Sequence, residues 1–189
     1  NRTQLAALTD EVARIVTDTT GEAGEYAREF AAYVAGYMSS LVAAPDPDAL
    51  THIAQARPSA RRAGATAAAC HSVHPDLAPI DDFASYHATS APGLDLASTD
   101  FADTFRVLGH STLDKKHMRR LLREKQIGSL TIKKRGIQES SASLAAKIGH
   151  QPDKKNRALT PGILIVAATS RGRRGYLVER LPRKMNGGR

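Results

Sequence analysis

The run "GILIVAAT", Gly162 to Thr169, constrains this chain more than any other stretch. It carries no charge and shows no alternation of apolar with polar residues. A strand of that kind is buried on both faces, so it needs neighbours at its sides and a layer above and below. Thr160-Pro161 precedes it, "SRGRRG" makes a turn after it, and "YLVERL" reads as its returning antiparallel partner.

The residues upstream supply the rest of such a sheet. "DTFRVLGH" alternates as a strand, and Ser111 or Thr112 is placed to cap a helix through "LDKKHMRRLLREKQ". Leu113, Met118, Leu121 and Leu122 give that helix its apolar side, and Gly128 suits the left-handed position that ends it. "SLTIKK" is the next strand. Ser140 or Ser141 opens a short helix with Leu144 and Ile148 facing inward, and Gly149 ends it. The order β-α-β-α-β-β predicts an α+β fold, a small helix-backed sheet that follows an N-terminal helical region.

That helical region is read from two stripes. Leu5, Leu8, Val12, Ile15 and Val16 recur at helical spacing after Thr3, and Tyr26, Phe30, Tyr33, Val34, Tyr37 and Leu41 do so in the next segment. The aromatic stripe reads as a packing face or an interface. "PDPDA" stops the second helix, because a proline cannot donate inside one. Residues 49–69 are rich in Ala and Arg and predict helix broken by Pro58 and Gly64; prolines and Ser/Thr/Asp then predict loop towards residue 100. The expected organisation is a helical segment at 1–44, a mixed helix and loop connecting region at 45–103, an α+β domain at 104–182 and a flexible tail at 183–189.

Charge divides the chain. Residues 1–100 hold 6 Lys/Arg against 13 Asp/Glu, whereas residues 101–189 hold 21 against 6. A basic half of that strength attracts phosphate backbones. No apolar run reaches the roughly 18 residues needed to cross a bilayer, so no membrane partner is expected. The single Cys70 excludes an internal disulfide and, with no secretion signal, leads to a cytoplasmic expectation. Starting at Asn1 rather than Met, the chain reads as a piece of something longer.

Catalytic signatures are missing from the sequence. There is no phosphate-binding glycine loop of the P-loop or dinucleotide type. Cys70, His71, His74 and His87 lack metal-ligand spacing, and they read as ordinary loop residues rather than a metal site or a nucleophile pair. Asp81 and Asp82 would diverge on any regular element, which favours a loop or cap role. No catalytic residue and no metal ligand is expected.

"FRVLGHSTLDKKHMRRLLREKQIGSLTIKKRGIQESSASLAAKIG" resembles the THUMP-like domain at the C-terminus of a bacterial, often actinobacterial, family of class I S-adenosylmethionine-dependent methyltransferases. Phe105 to Leu108, Leu121 to Glu124, Gly128, Ile132 to Gly136 and Tyr176 to Glu179 match its pieces in order, over roughly residues 104–181. The resemblance implies a domain that presents RNA to a methyltransferase catalytic domain, with S-adenosylmethionine as the cofactor of that neighbour and none in this chain.

The cations support this independently. Lys115, Lys116, Arg119, Arg120 and Arg123 recur at helical spacing, Lys133, Lys134 and Arg135 end a strand, and Arg171, Arg173 and Arg174 crown the hairpin. Converging, they would form a surface for the phosphates of structured RNA, and Arg can hold phosphate with a two-pronged fork. Alternation sends Lys133 and Lys134 to opposite faces, so only one would join in. The alternative is a non-catalytic interaction module whose basic face packs on an acidic protein partner, the chain's own acidic half included.

Overall fold

The structure, a computed structural model, describes residues 11, 14, 18, 21, 24–30, 44–81, 86–150 and 159–183. Seven strands form one mixed, open sheet: β1 (His52–Ala56), β2 (Ala78–Pro79), β3 (His87–Thr89), β4 (Ala102–Thr112), β5 (Ile127–Lys134), β6 (Thr160–Thr169) and β7 (Gly172–Arg180). They lie side by side as β2-β3-β1-β4-β7-β6-β5. Every pairing is antiparallel except β5 with β6, where a crossover carries α4 (Ser141–Lys147). The fold is α+β, as expected.

β6 meets its expectation residue by residue. Leu164 and Val166 point to one side and pack with Leu177 against Met118, Leu121 and Leu122 of α3 (Lys115–Glu124) and Leu144 and Ile148 at α4. Ile165 and Ala167 point to the other and join Phe105, Tyr176, Val178, Ile53 and Tyr86. Registers extend this sorting across the sheet. Ala56 pairs with Ala102 on the α3 side, and there Ala54, Ala56 and Ala102 pack with Ala60 of α1 (Pro58–Arg62) and Ala69 and Cys70 of α2 (Thr66–His71). The four named helices therefore share one face.

Close packing sets where α3 sits. A Cβ on Gly109 would lie 2.7 Å from a methyl of Leu121, and one on Gly175 would lie 2.7 Å from the methyl of Met118. Any larger residue at these two points would force the Leu121 or Met118 side chain to move from its seat on the sheet.

The structure corrects the sequence reading in several places. The sheet is larger than β-α-β-α-β-β, because β1, β2 and β3 add to its far edge. β1 is five buried residues, His-Ile-Ala-Gln-Ala, within a stretch expected to be helical. Alanine favours helix only weakly, and two neighbouring strands override it here. Pro58 opens α1 rather than breaking a helix. At two and three residues, β2 and β3 are too short to show a period in a segment read as loop. Gly128 lies in β5 at a register shift, and the left-handed residue after α3 is Gln126. Of the aromatic stripe, Tyr26 and Phe30 stand exposed on helical residues 24–30, and its remainder lies outside the described residues, as does the whole of the first helical stripe, Leu5, Leu8, Val12, Ile15 and Val16.

Cys70, His71 and His87 are not loop residues but fully buried ones, on α2 and β3. Burial pushes the Cys70 thiol up to about 12, only partly offset by a hydrogen bond with the Ala56 backbone, so no thiolate nucleophile forms there. His71 Nε2 donates to the Leu77 carbonyl at 2.9 Å, and its ring meets that of His87 edge-on at 5.6 Å. Neither ring nitrogen of His87 has a hydrogen-bond partner among the described residues. Burial, with His71 adding to it, pulls His87 down to about 3, and burial lowers His71 and His52 as well.

His87 stays neutral in the folded chain over most of this range, and His71 and His52 take up protons less readily there than when unfolded, while the unfolded counterparts take up protons below about pH 6.5. The unfolded state then binds more protons, so stability falls as pH falls from 6.5 towards 3. Each proton contributes a slope of about 1.4 kcal/mol per pH unit. Denaturant titrations across that window should show the decline beginning above pH 5, before carboxylates contribute. A flat profile from pH 7 to pH 5 would contradict the buried-histidine account.

Candidate nucleic-acid interface

The basic helix owes its start to Asp114, not to Ser111 or Thr112. The Asp114 carboxylate accepts from the backbone N–H of His117 at 2.9 Å and from the Thr112 hydroxyl, and it meets His117 Nδ1 at 2.8 Å. These contacts, the backbone one foremost, hold the carboxyl well below the usual aspartate range. Met118, Leu121 and Leu122 then fix one side of α3 on the sheet. The other side has to face solvent, and Lys115, Lys116, Arg119, Arg120 and Arg123 are all exposed there. Arg120 reaches Glu124 at 3.7 Å, one turn on. Among the described residues, the other four have no acidic partner.

The hairpin arginines differ. Arg171 pairs with Asp46 at 3.1 Å and Asp48 at 2.8 Å, and Arg174 Nε donates to Asp48 at 3.0 Å. The two guanidinium hydrogen bonds hold the Asp48 carboxyl below its ordinary value, Arg171 contributing most. Arg173 pairs with Glu139, which also takes Lys147 at 3.6 Å. Each of the three is already matched by a carboxylate of this chain.

The strand cluster is divided. Lys133 pairs in register with Ile165, away from α3, and Lys134 with Val166, towards it, which is the expected alternation. Lys133 Nζ lies 5.3 Å from the centre of the Phe105 ring and donates to Gln55 Oε1 at 3.3 Å. Burial lowers its pKa, Arg180 lowers it further, and Asp103 opposes them. Lys134 donates to the Ile137 carbonyl at 2.9 Å. Arg135 is exposed, beside Gly136 with its positive φ of 63°. The eleven cations thus form no single surface. Five stand together on α3, while three are ion-paired, two are turned into the sheet's faces and one lies at a strand end.

Beside α3 lies a cleft of about 390 Å³, lined by Asp48, His110, Ser111, Thr112, His117, Arg120, Leu121, Glu124 and Arg174. A second hollow of about 300 Å³ involves Lys116, His117, Arg120, Arg123 and Glu124, so the two share one side of the helix. This trough offers cations and hydrogen-bonding groups around an apolar patch at Leu121. Sequence reasoning missed His110, His117, Asp46, Asp48 and Glu139. The acidic "PDPD" lies far from the hairpin in the sequence, so no local signal pointed to their pairing. No group of three potential metal ligands occurs among the described residues.

Residues 102–180 match the model of a family described as "THUMP domain-like". The match begins with the first residue of β4 and ends with the last of β7, so β1, β2 and β3 lie outside it within the same sheet. The chain carries a THUMP-like domain over those residues. No curated protein matches the chain. Among solved structures, a protein from Porphyromonas gingivalis W83, provisionally named a methyltransferase, is similar at 12% identity with a TM-score of 0.49. The similarity covers 77% of this chain and 33% of that one, so the chain spans about a third of that protein's length.

The cap on α3 is testable. Asp114→Ala should lower Tm by roughly 2–4 °C, and Asp114→Asn, which can still accept from the His117 N–H, should restore most of it. Equal melting of both variants and the parent would mean that Asp114 does not hold the basic helix in place.

Proposed function

We propose that this THUMP-like domain docks structured RNA for the catalytic domain of an S-adenosylmethionine-dependent methyltransferase in the cytoplasm, and that this chain contributes no catalytic residue. The observation that carries the reading is the outer side of α3. Lys115, Lys116, Arg119 and Arg123 stand exposed on one helix without an acidic partner among the described residues. Outward cations on a packed helix recognise backbone phosphates by position, with little reading of base sequence. The methyltransferase partner and its cofactor come from the family resemblance, and the cofactor belongs to that partner.

A second reading has its own support. Arg171, Arg173 and Arg174 already pair with carboxylates of this chain, which is how a basic face would pack on an acidic protein. That reading makes the hairpin structural and leaves α3 a solvated surface.

Titration with a 20-base-pair RNA duplex at several salt concentrations separates the two. The docking reading expects affinity to fall steeply with salt. A Lys116→Ala, Arg119→Ala, Arg123→Ala variant should lose about one unit of log–log slope per phosphate contact removed and bind at least roughly tenfold more weakly, with Tm unchanged. Binding indifferent to those three side chains would overturn it.

A further inference from the structure

Asp46 and Asp48 are arranged to face the hairpin, not merely near it. Asp46-Pro47-Asp48-Ala49 is a turn closed by Ala49 N–H donating to the Asp46 carbonyl at 3.0 Å. The Asp48 N–H also donates to Asp46 Oδ1 at 3.0 Å. Proline in the second position and aspartate in the first favour this turn. It presents two carboxylates to one guanidinium, that of Arg171, while Asp48 also takes Arg174.

The turn is held at its centre by a different kind of contact. Tyr176, buried in the sheet, donates its hydroxyl to the Pro47 carbonyl at 2.9 Å. Asp48 meanwhile forms one wall of the cleft beside α3, with Arg174 and Arg120 in the same lining. Arg171 and Asp46 are about half exposed, and pairs of that kind are weak and screened by salt, whereas the Arg174 side chain is only 17% exposed and Asp48 34%. An anion with several negatively charged oxygens can therefore compete first for Arg171, the outer of the two, and then for Arg174 as Asp48 is displaced.

We infer that the Asp46–Asp48 turn is an intramolecular stand-in for phosphate, and that Arg171 and Arg174 become a second phosphodiester site when a polyanion displaces it. The inference rests on the RNA-docking reading, since it extends the α3 surface across the cleft. The acidic turn restricts this extension to ligands already held at α3, because phosphate must outcompete two tethered carboxylates. It also accounts for the pairing of Arg171 and Arg174 within the chain.

The test compares the parent with an Asp46→Asn, Asp48→Asn variant, both titrated with the 20-base-pair RNA duplex over a range of salt. The variant should bind roughly tenfold more tightly, the combined effect of releasing two or three weak ion pairs. Its log–log salt slope should stay close to the parent's, because the same phosphates are contacted in both once the turn is displaced. Tyr176→Phe, which frees the Pro47 carbonyl without changing charge, should shift affinity the same way by a smaller factor, and thermal melts establish that each variant is folded. Equal affinity in parent and double variant, both binding, or a slope steeper by about two in the variant alone, would overturn the stand-in and leave α3 docking intact. Absence of RNA binding in parent and variants alike would overturn docking itself, and the second site with it.

Discussion

The seating of α3 on the sheet is the contact on which the functional geometry depends. Met118 and Leu121 reach the strands beneath where Gly175 and Gly109 leave room for them, and Leu122 packs in the same cluster. Burying each of those side chains is worth on the order of 1.5–3 kcal/mol, well above what an exposed ion pair contributes. Apolar packing therefore decides which side of the helix is hidden. The cations take the side that remains, and they are held in a row without having to attract anything in the chain.

The electrostatic pattern divides along the same line. Of the lysines and arginines on α3 only Arg120 has a carboxylate partner, Glu124, and the others stay exposed and unpaired among the described residues, whereas cations near the Asp46–Asp48 turn or Glu139 are neutralised. The net charge of +8 consequently misstates the local field, because carboxylates pair with the hairpin arginines but, of the α3 lysines and arginines, only with Arg120 among the described residues. Lys133 shows the limit of reading charge from sequence. It belongs to the most conspicuous basic run, yet it is half-buried against Phe105 and Gln55.

What was legible in the sequence follows from the range of the physics involved. "GILIVAAT" had to lie in the middle of a sheet, and Leu144, Ile148 and Met118 had to face inward, because local periodicity encodes burial. The opposed directions of Lys133 and Lys134 followed from the period of a strand. By contrast β1 is five residues in an Ala-rich setting, and its strand state comes from β3 and β4 on either side, which no local window contains. The same holds at the interface. The α3 cations share an exposed side because helical spacing put them there, while the pairing of Arg171 with Asp48 spans 123 residues of sequence. Periodic facts were readable, and long-range partners were not.

Lysine-labelling footprints with and without bound RNA duplex test the central claim most directly, because this chain's lysines report on separate surfaces. Lys115 and Lys116 lie on the outer side of α3, Lys133 on the opposite face of the sheet and Lys134 beside Ile137. The account predicts that RNA protects Lys115 and Lys116 strongly and leaves Lys133 and Lys134 unchanged. Protection of Lys133 with undiminished labelling on α3 would contradict it.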